Sequence, residues 1–517
     1  MEDKLKRFTD IFMRYSYAAA MSVILIIIMF FVNITYKHKK YIPVSNLEIF
    51  ALLILLLLIL FIIMRLLNKN GINSECVNFG KCVNIITIFL LLMQIYTARN
   101  IFFATGWDVA PVVESSRLYA LGYGERIMDT YAFSSYQNNL LIVIIQSAVL
   151  WLNSRVGIFT GEMELMSLIL VNCIINTCTC LLIYKTGRLF VDEKYAFMGF
   201  VAGVAAVGIS PWTIICYSDS LALIFPVLSL YLYARPYKTE IMKYTGILFA
   251  MINACIGYYI KPQCLIIMIA IAIAELLQSC SKDHWRTLIK KSVIILSVLI
   301  FLIGFGKVRD TILYNEGVVI DENQKIGMTH FFMMGLNEET NGAYNASDIA
   351  FSRSFPDVKS RNEANMREAV SRIKEKKIGG LIEHTLKKTL TVWNDGTYAW
   401  GEEGGFYEEL YSEPNRYAAH ILRNIFYTTG RYYKYFATFE QCVWIAILVL
   451  AIFATHSKKS SVLMLSIFGL IVFEMLFEAR ARYLYIYVPI LCILAAVGLC
   501  RVMELLNKAE CLVRRRI

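Results

Sequence analysis

Long, uninterrupted apolar runs alternate with short polar segments along the chain. Because the runs are continuous rather than alternating, they predict membrane-spanning helices rather than the strands of a barrel. About 20 apolar residues cross a bilayer as a helix. Thirteen segments approach this length: 15–36, 47–67, 82–103, 138–154, 162–184, 195–209, 213–233, 244–260, 262–279, 290–306, 439–455, 461–477 and 482–503. The pattern predicts an all-α polytopic membrane protein with a bundle of about 12–13 transmembrane helices.

One of these segments is predicted not to cross the membrane. An odd number of crossings would place the two termini on opposite sides, whereas both termini carry features of a cytoplasmic segment. Segment 195–209 is the candidate because it is short, rich in small residues and followed by Ser-Pro-Trp. We expect it to pair with 213–233 as a re-entrant unit, which requires that protein or water cover its backbone.

The distribution of basic residues predicts the orientation. Lys and Arg favour the cytoplasmic side of the membrane. Loops of this kind occur at 185–190, 234–238, 281–286 and 456–460. The basic C-terminal residues 514–516 fit the same side, whereas the basic stretch 37–40 falls outside, against the rule. The long polar region 307–438 is then extracytoplasmic, and the chain is predicted to be a multi-pass protein of the plasma (cytoplasmic) membrane.

These assignments divide the chain into five parts. They are N-terminal transmembrane helices (1–103), a first extracytoplasmic loop with interfacial helices (104–137), a transmembrane core (138–306), a mainly helical extracytoplasmic domain (307–438), and C-terminal transmembrane helices with a basic tail (439–517).

Within the long polar region, the pattern predicts two helices. The first covers 357–377, with Asp357 as its N-cap and Gly379–Gly380 as its stop, and the second covers 381–393.

Composition supports the membrane assignment and excludes other classes. The chain is 57% hydrophobic and 18% charged, against about a quarter charged in soluble domains. The net charge of +11 is distributed over short loops, so it indicates topology rather than nucleic-acid binding.

The positions of the cysteines exclude two kinds of cross-link. None of the 13 cysteines lies between Gly306 and Gln441. No CxxC pair with partner ligands occurs, which argues against structural zinc and a disulfide framework.

Asp108 follows the third apolar run and has two interpretations. An Asp before helix-permissive residues and a nearby Pro is typical of an N-cap, here of an interfacial helix over Pro111–Leu121. Alternatively, Asp108 is a catalytic base at the membrane surface.

Further charged residues lie beside apolar runs, near the same predicted surface. They are Asp219, Lys261, Glu478, Arg480 and Arg482. Ionisable groups at membrane depth are costly and usually functional. Pairing or snorkelling at the headgroups explains any single one of them equally well, but the set as a whole less well. Arg and Lys beside carboxylates suit transfer of a group from a phosphate, since both cations bind phosphate oxygens.

Aromatic and amide residues complete the set of candidates. Trp107 precedes Asp108, and the stretch "SSYQNNLLI" contributes Tyr136, Asn138 and Asn139. Amides bond hydroxyls and an aromatic ring offers a stacking face, so these residues suit a sugar. The plainer interpretation is a capped helix start with asparagines as turn formers.

In order along the chain, these motifs resemble the GT-C glycosyltransferases, in particular the protein O-mannosyltransferase and aminoarabinose-transferase-like group in a bacterial form. The motifs are an Asp in the first outside loop, "YQNN", "SDSL" after Pro-Trp, a Lys-Pro between spans, and "EARARYL". The resemblance covers about 82–503. The sequence departs from the family where proline is expected at the second position of "YQNN", in its extended N-terminus, and in 307–438, which matches no carbohydrate-binding module.

The resemblance implies an inverting transfer of a sugar from a polyprenyl-phosphate donor to an extracytoplasmic acceptor. Asp108 would be the catalytic carboxylate, with Asp219, Lys261, Arg480 and Arg482 around the donor phosphate. No organic cofactor is implied, and a bridging Mg²⁺ or Mn²⁺ stays open. The partners implied are the donor, the acceptor and membrane lipid. A carrier or flippase of lipid-linked saccharides is the alternative, although no pair of related halves is visible. A structural assembly protein would leave the intramembrane charges unexplained.

Overall fold

The computed structural model describes residues 2–31, 33–44, 46–69, 78–129, 133, 135–278, 285–404, 407–410, 416–456 and 460–514. Helices dominate this part of the chain. They are α1 (Glu2–Phe30), α2 (Asn46–Lys69), α3 (Phe79–Ile101), α4 (Val109–Ala120), α5 (Leu140–Val156), α6 (Leu165–Gly187), α7 (Glu193–Gly203), α8 (Ser218–Ala234), α9 (Glu240–Tyr258), α10 (Leu265–Gln278), α11 (Trp285–Asn315), α12 (Met328–Gly335), α13 (Ala346–Arg353), α14 (Val358–Trp393), α15 (Arg416–Phe426), α16 (Tyr433–Ile452), α17 (Ser461–Leu476) and α18 (Val488–Arg514).

A two-stranded antiparallel sheet joins two distant parts of the chain. Strand β1 (Phe103–Thr105) pairs with β2 (Tyr407–Leu410), so that Ala104 lies opposite Glu409. The sheet therefore ties the segment after α3 to the segment between α14 and α15.

The predicted fold class is confirmed. In the described ranges, nine helices are long and apolar enough to span a membrane, and three shorter apolar helices accompany them. Among these spans, Ala481–Leu512 and Tyr433–Ile452 have the largest shares of buried residues in their most apolar stretch, 83% and 78%. In Thr287–Asn315 this share is only 11%. The core therefore lies around α16 and α18, and α11 lies at the periphery.

Several helix ends differ from the predicted spans. Helix α1 ends at Phe30, before the predicted boundary at residue 36, and its first turns extend to Glu2. Helix α11 continues to Asn315, beyond the predicted end at 306. Hydropathy marks the apolar stretch, whereas backbone hydrogen bonds continue into the polar turns.

The segment 195–209 is a helix followed by a five-residue π turn, Val204–Gly208. Its small residues allow close contact with other helices. A Cβ added at Gly199 would lie 3.0 Å from the Ala496 Cβ of α18, and one at Gly203 would lie 2.3 Å from Ile183 Cδ1 of α6. Glycines four apart that admit a neighbouring helix are common in membrane bundles. Packing explains the composition, and whether the segment crosses stays a prediction.

The two helices predicted after Asp357 form one element with a break. Asp357 caps α14, because its side chain accepts a hydrogen bond from the Ser360 backbone N–H. Lys377 has a non-helical backbone (φ 51°, ψ −176°), two residues before the predicted stop at Gly379. The cap is confirmed, and the chain bends where the glycines weaken the helix.

The orientation can be tested with introduced cysteines. The background is a protein in which serine replaces Cys178 and Cys511, which are exposed among the described cysteines, and also Cys76 and Cys280, which lie outside the described residues. In intact cells, Ile378→Cys should then react with an impermeant maleimide, because Ile378 is 79% exposed and lies in 307–438. The exposed Lys238, changed to cysteine, should react only after lysis. The opposite pattern would contradict the predicted orientation.

Candidate functional site

The turn between β1 and α4 places the Trp107–Asp108 pair. Trp107 has a left-handed backbone (φ 44°), which is uncommon for a large residue. Asp108 occupies the N-cap position of α4, but its side chain makes no capping hydrogen bond. Instead, Asp108 Oδ2 lies 3.4 Å from the Tyr217 hydroxyl. The predicted cap position is correct, and the carboxylate is directed into the protein instead of to the helix end.

The surroundings of Asp108 alter its acidity. Burial raises the pKa of its carboxyl above the ordinary value, and the nearby Glu478 carboxylate acts in the same direction. The guanidinium groups of Arg482 and Arg480 and the Tyr217 hydroxyl oppose this rise in pKa. A carboxyl with a raised pKa is closer to the acidity that general acid–base chemistry requires.

A buried ion triad lies beside this carboxylate. Asp219, in the first turn of α8, has its Oδ1 2.6 Å from Lys261 Nζ and its Oδ2 3.2 Å from Arg482 Nη1. Asp219 is completely buried, and Lys261 and Arg482 are at most 9% exposed. Lys261 precedes α10 and Arg482 lies in the 3₁₀ turn Ala481–Tyr487 before α18. The structure thus brings three separate parts of the sequence together.

Aromatic rings connect the triad to Asp108. The Arg482 guanidinium lies 4.8 Å from the Trp107 ring centroid, 5.2 Å from Tyr483 and 5.7 Å from Tyr217. Lys261 Nζ lies 4.8 Å from the same Tyr483 ring. Aromatic faces stabilise cations without neutralising them. Of the two cations, Arg482 is the one that acts on the candidate base, where its charge opposes the rise in the pKa of Asp108.

A second polar network lies at the same site. Arg480 Nη1 lies 2.8 Å from Glu402 Oε2, which also contacts His38 Nδ1. Glu478 accepts a hydrogen bond from the Tyr483 hydroxyl at 2.9 Å, and its other oxygen lies 3.7 Å from Arg480 Nε. Although burial acts to raise it, the contacts with His38 and Arg480 hold the pKa of Glu402 below its ordinary value.

The "YQNN" residues reach the site unequally. Asn139 is buried, and its Oδ1 lies 3.4 Å from the Tyr217 hydroxyl. Asn138 is exposed and donates to Asn139 Oδ1 at 3.2 Å. Tyr136 packs near Phe331, and burial together with the Asp108 and Glu478 carboxylates raises the pKa of Tyr136. Asn139 therefore belongs to the inner part of the site, and Tyr136 and Asn138 lie at its edge.

The sequence did not identify several residues of this site. Tyr217 stands two positions before Asp219 and Tyr483 directly follows Arg482, so the tyrosines of "YSD" and "RYL" could have been predicted from their closeness in sequence to these charged residues. His38 and Glu402 lie far from every motif, and only the fold brings them to Arg480. Among the described residues, no group of three or more His, Cys, Asp or Glu is placed to hold a metal.

The comparisons with known proteins give one result that covers the chain. Residues 5–502 match the family model described as conserved hypothetical integral membrane protein. The chain belongs to this family. No curated protein and no solved structure matches it. Membership in the conserved hypothetical integral membrane protein family agrees with the apolar helices, and the protein is an integral membrane protein.

Two further buried ionisable residues of this conserved hypothetical integral membrane protein, Lys388 and Glu474, lie near Glu478 of the site. Lys388 of α14 donates to the Gly335 carbonyl at 2.9 Å and to the Phe477 carbonyl. Neither carboxylate oxygen of the fully buried Glu474 has a hydrogen-bond partner. Burial lowers the pKa of Lys388 to about 7, against the opposing charges of Glu474 and Glu478.

The pKa of Lys388 predicts a pH dependence of stability. The unfolded chain holds this proton up to a pH of about 10.5 and the folded chain only to about 7, so unfolding takes up a proton between these values. Stability should therefore rise with pH in this window, by at most about 1.4 kcal/mol per pH unit. Lys388→Met should reduce the slope in detergent unfolding experiments, whereas the exposed Lys374→Met should not. Equal slopes would show that Lys388 does not titrate there.

Proposed function

We propose that the protein is a glycosyltransferase that moves a sugar from a polyprenyl-phosphate donor to an acceptor outside the cytoplasm, with inversion. One observation supports this most: the partly buried Asp108 carboxylate and the Arg482 guanidinium both lie near Tyr217, at 3.4 Å from its hydroxyl and 5.7 Å from its ring centroid respectively. A candidate base and a candidate phosphate ligand therefore lie beside the same tyrosine side chain.

In the proposed reaction, Asp108 accepts the proton of the acceptor hydroxyl. The hydroxyl oxygen attacks the anomeric carbon of the sugar from the face opposite the phosphate. The bond between this carbon and the phosphate oxygen breaks, and its electron pair stays on the phosphate. The attack from the opposite face inverts the configuration.

The cations stabilise the phosphate that leaves. Asp219 contacts both Lys261 and Arg482, and ammonium and guanidinium groups each carry several N–H donors, the kind of donor that binds phosphate oxygens. Preorganised donors of this kind favour the charge that develops in the transition state. Arg480, held by Glu402, is the third cation. Asn139 and, at the edge, Asn138 and Tyr136 would contact the sugar.

A transfer assay tests this proposal. Purified protein in detergent is incubated with a polyprenyl-phosphate donor carrying a radiolabelled sugar and with extracted envelope material as acceptor. We expect label to leave the lipid fraction only with active protein. If proteoliposomes instead move the intact labelled lipid between leaflets without cleavage, the protein is a flippase and the proposal is wrong.

Donor binding should depend on Arg482. Loss of one charge-assisted contact should weaken donor binding by about 1.5–3 kcal/mol in Arg482→Ala. Arg482→Lys should recover only part of this, since a lysine lacks the planar fork. Binding of labelled donor to purified protein measures both. Arg188, which lies over the Tyr184 ring far from the site, provides the control substitution to alanine, and normal donor binding by Arg482→Ala would contradict the assignment.

A further inference from the structure

A groove of about 610 Å³ runs along the hairpin of α8 and α9, and no step of the proposed reaction uses it. Met242, Phe249 and Ile256 line it at intervals of seven residues, so they share one face of α9. At 1.5 Å per residue, this face is about 21 Å long. Length and lining suit one extended hydrocarbon chain.

The groove has a polar end opposite the candidate site. Helix α8 begins beside Asp219 and ends at Ala234, and α9 runs back towards Lys261. Arg235 therefore lies about 24 Å from Asp219 along the helix. The exposed Lys238, Lys243 and Glu240 lie at the same end. Glu275 is also near this end, where it is paired with Lys291. This end of the groove carries an excess of positive charge.

Arg235 is held in a defined position. Its guanidinium lies 4.8 Å from the Tyr237 ring centroid. The Tyr237 hydroxyl donates to the Leu232 carbonyl at 2.5 Å, and the ring lies against Gly246, where an added Cβ would come within 2.0 Å of the hydroxyl. Within the described ranges, no carboxylate forms an ion pair with Arg235. Because Gly246 has no side chain, the Tyr237 ring can pack against α9 and support the Arg235 guanidinium at the polar end of the groove. No described carboxylate neutralises this guanidinium there.

We propose that this groove binds one anionic glycerophospholipid, with an acyl chain along α9 and its headgroup phosphate on Arg235. An apolar groove alone would accept any lipid tail. The guanidinium binds phosphate oxygens in bidentate fashion, and the excess of positive charge at the mouth favours a headgroup of net negative charge over a zwitterionic one, whose ammonium group it would repel. The site lies at the opposite end of α8 from the triad, and the inference does not depend on the proposed reaction.

Native mass spectrometry of the detergent-purified protein tests this inference. Phosphatidylglycerol and phosphatidylcholine with identical acyl chains are added in equal amounts, and the bound lipid is counted. We expect one phosphatidylglycerol to be retained in preference to phosphatidylcholine. Arg235→Gln should reduce that preference by about 10-fold or more, the effect of losing a charge-assisted contact. Ile252→Trp, which fills the groove, should lower retention of both lipids.

Arg155 supplies the matched control. It is an exposed arginine over an aromatic ring, 5.4 Å from the Trp151 centroid, and it ends a helix that also begins at the candidate site. Arg155→Gln should leave the retained phosphatidylglycerol unchanged. Equal losses in Arg155→Gln and Arg235→Gln, or equal retention of the two lipids by the unaltered protein, would overturn the inference. So would a normal preference in Arg235→Gln.

Discussion

Asp108→Asn should lower turnover by about 10²-fold or more, the usual contribution of a positioned base, while the protein keeps its fold. Asparagine has nearly the same size and is about as good at an N-cap position. The aspartate makes no capping hydrogen bond in any case, so the substitution removes no bond that α4 depends on. Sugar transfer and thermal unfolding of the purified variant measure the two effects separately.

The pH profile of transfer gives a second measure of the same residue. A base acts only when deprotonated, and burial raises the pKa of Asp108. The rate should therefore fall, as the pH decreases, at a higher pH than it would for an ordinary carboxylate. Asp108→Asn should lose this acidic limb along with most of its activity.

Glu125 is the matched control for Asp108. It is an exposed carboxylate of the same loop, so Glu125→Gln removes an equal charge without touching the site. Near-normal transfer by Asp108→Asn would contradict the role of Asp108 as base. Glu114 and Glu125 are exposed, and the side chain of Asp129 lies outside the described residues, so Glu478 would be the next candidate.

Asp219→Ala should destabilise the folded protein by about 3–5 kcal/mol, because it removes the shared partner of a buried ion pair. Lys261 and Arg482 would then face each other as two buried cations without the carboxylate that separates them. The free energy of unfolding in mixed detergent, measured by circular dichroism, reports this effect. The loss should exceed that of any exposed ion pair in the molecule.

Glu510 provides the comparison for Asp219. It lies 2.7 Å from Arg65 Nη2, but both side chains are at least 40% exposed. Exposed pairs of this kind contribute less than about 1 kcal/mol, so Glu510→Ala should change stability little. If Asp219→Ala is as stable as Glu510→Ala, the triad is not held together as the structure shows it.

The sequence predicted the helices well because each span is a local property of about 20 residues. The charge pattern also identified Asp219, Lys261 and Arg482 individually. Their contacts depend on how α8, α10 and α18 pack, which no local pattern records. Asp108 illustrates the same limit: its position at the helix start was evident, but its contact with Tyr217 depends on how the turn before α4 packs against the start of α8.

His38 and Glu402 show where sequence reasoning failed for a physical reason. His38 belongs to a basic stretch that indicated topology, and Glu402 is one acid among many in a polar region. Their contact joins residues 364 positions apart in the chain. Tertiary packing brings such a pair into contact, and neither residue belongs to a sequence motif from which the other could be predicted.

The small β1–β2 sheet has a mechanical consequence. Strand β1 leads directly into the turn of Asp108, and β2 follows the segment of Glu402 by a few residues. The ladder between Phe103–Thr105 and Tyr407–Leu410 therefore couples the two loops, so that a displacement of one pulls the other. Asp108, the proposed base, and Glu402, which holds Arg480, would therefore move together towards or away from the reacting sugar.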